Sequence, residues 1–192
     1  MLVLVAMKYI VLVQPITLIE LNIYNIVVDL LNKLFTDVEF IPSSTIITPP
    51  LNAYDWQRGQ YYSPKIIKYI HEMFKDTKYD YILCLGDIDA YADGLNFVFG
   101  QASPIYRIAC VYTRRLKPEF YGQKPDTELY ITRIVKELIH EFGHLLGLSH
   151  CVNRECVMCF SNSIVDVDRK TPYFCDDCKR RIEGLGIKQV KL

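Results

Sequence analysis

The sequence predicts an α/β fold around one mixed, mostly parallel sheet of about five strands. Three observations predict it. Short β-branched and apolar runs alternate with stretches of helical periodicity as far as Thr113. Glycine and proline turns separate those runs, and a long amphipathic helix follows the last strand. At 192 residues, one domain with a sizeable core is expected. It is read as an α/β part over 1–146 and a small C-terminal lobe over 147–192.

Lys8 to Val13 reads as the first strand, ended by Gln14-Pro15. The apolar start from Met1 to Val13 is interrupted by Lys8 and too short to span a bilayer. It has no basic residue before the apolar run and no clear small-residue cleavage site, so it does not read as a signal peptide, and Met7 is an alternative first residue. Thr17 to Phe35 carries Leu18, Leu21, Tyr24, Val27, Val28, Leu31 and Leu34 at helical spacing. Val38 to Ile41 is a second strand, and residues 42–59, with Pro49-Pro50, are mostly loop. Ser63-Pro64 opens a second helix to about Lys75, with Pro64 suited to its first turn. His71 on that helix reads as partly exposed and not a ligand. Asp80 to Leu85 is a third strand, and Leu95 to Phe99, between Gly94 and Gly100, a fourth, at an edge. Ile105 to Thr113 is the fifth. Cys84 and Cys110 fall inside apolar strand runs, as core residues do.

The last long helix runs from Thr127 to Leu146, with Asp126 or Thr127 as cap and Glu128 in the first turn. Near its end stand His140, Glu141, His144 and, past Gly147, His150: three of the four histidines in the chain. With about 100° of rotation per residue, His144 falls about 40° round from His140 and Glu141 about 100° round. Two imidazoles therefore point the same way, with a carboxylate beside them. Gly147 suits the left-handed turn that ends a helix, and the returning chain brings His150 as a third nitrogen. Three imidazoles leave a fourth tetrahedral position for water, the arrangement of a catalytic zinc site. HExxH alone arises by chance; the glycine and third histidine at these offsets make chance a poor account.

Cys151-x4-Cys156, eighteen intervening residues and Cys175-x2-Cys178 are spaced as in four-thiolate zinc sites. The alternative is a set of reduced cysteines without metal. Few apolar residues follow Val165, so a bound ion would explain how the tail stays folded. Seven cysteines, five of them between Cys151 and Cys178, suit a reducing compartment, with the cytoplasm as the default. Lys+Arg and Asp+Glu number 22 each, so no basic field argues for nucleic acid.

His140 to His150 resembles the metzincin zinc signature with its following Met-turn. Cys151, Cys156, Met158, Cys175 and Cys178 make the stretch from Val135 to Cys178 similar to the archaemetzincins in particular; upstream only the α/β order agrees. The resemblance implies a metzincin-like fold with two zinc ions, one catalytic and one structural. It implies zinc-dependent hydrolysis of peptide bonds, with His140, His144 and His150 as ligands and Glu141 as general base. Met158 would lie under the zinc in a turn that must be tight, only eight residues after His150. Cys159 falls outside the paired pattern and reads as a free thiol near Met158. An edge such as Leu95 to Phe99 could hold an extended peptide by β-addition. The expected partner is a peptide or protein substrate of a monomer, without nucleic acid or membrane. Two other classes stand beside this reading: a non-enzymatic zinc-stabilised interaction module, and a zinc amidase for a small substrate. An intact Glu141 argues against the module, which has no need of a base.

Overall fold

The computed structural model describes residues 9–192, so the apolar start before Tyr9, with Met7 and Lys8, lies outside the described residues. In chain order come β1 (Tyr9–Pro15), α1 (Leu21–Leu34), β2 (Val38–Pro42), β3 (Tyr54–Asp55), β4 (Gln60–Tyr62) and α2 (Ser63–Phe74). There follow β5 (Tyr81–Gly86), β6 (Ala90–Ala92), β7 (Leu95–Val98), β8 (Gly100–Ser103), β9 (Ile108–Tyr112), α3 (Thr127–Leu145), α4 (Ile164–Arg169) and α5 (Asp176–Glu183).

The main sheet has five strands in the order β2-β1-β5-β9-β8. β1 pairs in parallel with β2 and β5, and β5 with β9; only β8 runs antiparallel, against β9. Period-two alternation divides its side chains between two apolar clusters. Val11, Val13, Leu83, Leu85, Ala109 and Val111 pack with α1 and α3, whereas Leu12, Ile82, Cys84, Ile108 and Cys110 pack with α2. With both faces covered, the central strands are continuous apolar runs, which made them legible. Cys84 and Cys110 are wholly buried partners on adjacent strands, as expected of core residues.

Three details differ from the sequence reading. Helix α1 begins at Leu21 rather than Thr17, because Leu18 continues the apolar period yet lies 83% exposed before the helix. Leu95 to Phe99 does hold an edge strand, but β7 closes a second, four-stranded sheet of order β3-β4-β6-β7. The main sheet has β2 at one edge and β8 at the other, and β8 is the edge beside α3. The fifth strand is also shorter than Ile105 to Thr113: Ser103 to Arg107 forms a turn, with the Tyr106 and Arg107 amides bonded to the Ser103 and Pro104 carbonyls at 3.1 and 3.2 Å.

The tail is fastened to the rest of the molecule by more than its cysteines. Val167, Phe174, Ile182 and Ile187 are buried in the same cluster as α1 and α3. Gln189 accepts from the Phe174 amide at 2.9 Å and bridges to Phe35. Apolar residues are few here, as expected, but these are sealed against the main core. Among the described residues no helix is long and apolar enough to cross a membrane.

Candidate active site and metal centres

Helix α3 starts where its cap predicts: the Asp126 carboxylate accepts from the Leu129 amide at 2.9 Å. It ends at Leu145, and two residues on Gly147 turns the chain with a φ of +86°, in the region glycine enters freely. The Leu148 amide then closes back on the Gly143 carbonyl at 2.9 Å, and the chain reverses. That reversal delivers His150. The ligand nitrogens of His140, His144 and His150 lie within 4.8 Å of one another.

The ring orientations are fixed from behind. His140 Nδ1 donates to the Val157 carbonyl and His144 Nδ1 to the Leu148 carbonyl, both at 2.8 Å. A carbonyl can only accept, so Nδ1 carries the hydrogen and Nε2 the lone pair in each ring. Those two Nε2 atoms stand 3.1 Å apart. Facing lone pairs at that distance repel unless a cation lies between them. Two vertices of a tetrahedron with metal–nitrogen bonds of 2.0–2.1 Å are about 3.3 Å apart, so the residues fit a zinc ion. Burial holds the His140 imidazole well below its ordinary pKa, and Lys170 and His144 push the same way. Burial also lowers His144 and His150. All three therefore favour the neutral, ligating form.

Glu141 is buried beside His140 and faces β8. Burial pushes its carboxyl well up, Glu137 adds to the shift and Lys170 opposes it. A dication at the neighbouring histidines would draw it back toward the carboxylate. A cleft of about 670 Å³ opens in front, lined by β7 and β8 on one side and by Glu141, His144, His150 and Phe160 on the other. Phe160 packs edge-on against His150, with ring centroids 4.9 Å apart.

Beneath the histidines lies Met158, fully buried, its sulfur directly against Gly143 of α3. The turn that carries it is tight: the Cys151 amide donates to the Met158 carbonyl at 2.9 Å. The sulfurs of Cys151, Cys156, Cys175 and Cys178 also lie within 4.8 Å of one another. Cys151 and Cys175 stand 3.7 Å apart, close to the 3.8 Å or so expected between thiolates at 2.3 Å from one zinc. The Cys175 amide points at the Cys156 sulfur at 3.3 Å, as an N–H does toward a thiolate. All seven cysteines are free thiols, and Cys159 turns away toward the Phe160 carbonyl. His71 also stays apart, stacked on Tyr106 with centroids 4.3 Å apart.

Sequence reasoning missed a set of charged side chains that tie α3 to the tail. Arg133 donates two hydrogen bonds to Asp168, both at 2.7 Å, and Lys136 donates to the Val167 and Asp168 carbonyls at 3.1 and 3.2 Å. Glu137 and Lys170 form a buried ion pair at 2.7 Å, in charge contact without hydrogen-bond alignment. The available signal was Glu137 itself, a carboxylate one turn before Glu141 on a helix otherwise heading into the core.

Comparison with known proteins agrees with this geometry. The model of peptidase family M54 matches residues 4–184. An archaemetzincin of Saccharolobus solfataricus is 42% identical over 176 residues, covering 92% of this chain and 94% of that one. An archaemetzincin of Aeropyrum pernix is 46% identical over 145 residues, 74% of this chain and 76% of that one. Among solved structures, a zinc-dependent peptidase from Methanocorpusculum labreanum superposes with a TM-score of 0.80 at 31% identity, covering 90% of this chain and 99% of that one. The Methanopyrus kandleri archaemetzincin superposes with a TM-score of 0.77 at 36% identity, covering 95% and 99%. The chain belongs to peptidase family M54: it is a zinc metallopeptidase of the archaemetzincin kind.

Proposed function

We propose that the chain hydrolyses peptide bonds with one zinc ion held by His140, His144 and His150 and with Glu141 as general base. A second zinc, held by Cys151, Cys156, Cys175 and Cys178, is structural, and Met158 is the Met-turn residue beneath the first. The observation that carries this reading is the pair of Nε2 atoms, 3.1 Å apart with both Nδ1 atoms already engaged, beside a buried carboxylate. The ion supplies Lewis acidity, bringing water's ionisation near neutral pH and polarising the scissile carbonyl. Glu141 takes the water's proton and passes it to the departing amine. The carbonyls of Val157 and Leu148 keep the imidazoles aimed while this happens. An extended substrate lies along β7 and β8, whose residues line the cleft.

Four thiolates fill a tetrahedron and leave no place for water, so the cysteine centre does no chemistry. On this reading residues 1–192 act as one domain, with 147–192 as a lobe anchored by its ion and by apolar residues shared with the main core. The working form is a monomer in a reducing compartment such as the cytoplasm, with peptides as partners rather than nucleic acid or membrane; seven free thiols and balanced charge support this.

The test is digestion of a peptide library by zinc-loaded protein beside its Glu141→Gln variant. The variant should keep the metal content of the parent and lose about 10³-fold in kcat, because an amide cannot accept the water's proton. Equal turnover by the two proteins would overturn the base assignment.

A further inference from the structure

We propose that Gly100 is a positioning residue for Glu141: the missing side chain on β8 is the seat that holds the carboxylate. The proposal rests on Glu141 being the base, as read above. A Cβ built on Gly100 would lie 2.6 Å from Glu141 Cγ, 2.6 Å from Oε1 and 2.8 Å from Cδ, so no larger residue fits while Glu141 keeps its place. Backbone conformation does not demand this glycine. The glycines with positive φ are at positions 59, 94, 122, 147 and 186, and Gly100 is not among them. Space alone explains it.

The pairing of the sheet shows why the seat lies here. Gly100 stands opposite Val111 and Ala102 opposite Ala109. Val111 and Ala109 face α3, so positions 100 and 102 face it too. Small residues at both let α3 approach the edge strand closely. At Gly100 the approach is filled by the carboxylate arm of Glu141 rather than by an apolar side chain.

No hydrogen bond from a described residue reaches the Glu141 carboxyl, although Glu141 is only 4% exposed. Packing rather than a donor fixes it. A base held by protein hydrogen bonds would share its lone pairs with them and be weakened. One wedged against a bare backbone keeps both oxygens for the water and for the leaving amine. An added Cβ would meet the far end of a side chain that can swing, so the expected consequence is a displaced carboxylate in an otherwise folded protein. Misplacement by about 1 Å can cost on the order of 10²-fold in rate.

The experiment uses the full zinc-loaded chain and a peptide that the parent cleaves. Gly100→Ala should retain the parent's zinc content and melting temperature, leave KM within about 2-fold, and lower kcat by about 100-fold. The same substitution in a Glu141→Asp background should cost less than about 5-fold, because the shorter arm has already withdrawn from the seat. If Gly100→Ala lowers the melting temperature instead, Glu141→Ala in the same chain should restore it. Unchanged kcat, a loss carried by KM, an equal loss in both backgrounds, or a melting defect that Glu141→Ala does not relieve would each overturn the proposal. Failure of the base assignment is separate: it would show as full activity of Glu141→Gln, whatever Gly100→Ala does.

Discussion

Two clusters of candidate ligands meet at one peptide bond, between His150 and Cys151, and their environments differ. The histidine cluster offers three neutral nitrogens, one of them on an exposed residue, and opens on a cleft of about 670 Å³. The cysteine cluster offers four sulfurs and is packed among Phe174, Ile182 and the Met158 turn. Ligand count and access, rather than metal identity, separate a centre that can take a substrate from one that can only staple the chain. The two are joined mechanically. Val157, whose carbonyl orients His140, lies between Cys156 and Met158.

The comparison breaks most decisively at the histidines. His144→Ala removes one of the three proposed ligands of the open centre and touches none of the cysteines. Hydrolysis should fall to the uncatalysed background, a loss of at least about 10⁶-fold, while one zinc per chain remains. Metal content by mass spectrometry beside peptide turnover checks it. Retention of two ions, or of measurable turnover, would show that the two centres are not the independent sites described.

A pH series separates the same centres more gently. Burial places the folded imidazoles below their ordinary pKa, so near pH 7 they are already neutral and protons compete with metal only in more acid solution. The thiols run the other way. Burial pushes Cys156 up to about 11 and raises Cys178 further, so each must give up a proton to bind. Cys175 is the exception: burial opposes its ionisation, but the Cys178 amide and neighbouring thiols outweigh it and its value is lowered. Lowering the pH from 8 to 7 should therefore weaken zinc at the cysteine centre by at least about 100-fold, a factor of ten from each of the two raised thiols, and hardly change the histidine centre. Chelator competition at the two pH values reads this directly. Equal slopes would contradict it.

Much of this contrast was legible because its signals are local. One-turn spacing placed His140 and His144 together, Gly147 announced the turn to His150, and paired cysteines flagged their own cluster. What stayed hidden depends on residues far apart in the chain. Strand β8, Gly-Gln-Ala-Ser, carries one apolar side chain and exists because β9 offers it a ladder. Glu137 finds Lys170 only once the tail has folded over α3. The room at Gly100 has no sequence signature apart from a glycine that resembled a turn. The extent of α1 misled for the opposite reason: Leu18 obeys the helical period, but nothing packs over it.

The finest test asks how far the closed centre supports the open one. Cys178→Ser should reduce the zinc content from two ions per chain toward one. The tail should not unfold outright, because Val167, Phe174, Ile182 and Ile187 remain buried in the main core and Gln189 still bridges to Phe35. What should loosen is the turn from Cys156 to Met158, and with it the carbonyl of Val157 that aims His140. Loss of such an orienting partner typically costs about 10-fold to 100-fold in metal affinity or activity, and a loss of that size is expected here at limiting zinc. Cys159→Ser provides the matched comparison, one residue beyond Met158 and outside the cluster. Its sulfur bonds the neighbouring Phe160 carbonyl, at 3.7 Å, and lies outside the four-thiol cluster, so zinc content and turnover should both stay at the parental level. A second ion lost with Cys159 rather than with Cys178 would move the closed centre to a different set of thiols. Full activity in Cys178→Ser after loss of its ion would show that the histidines hold their aim without it.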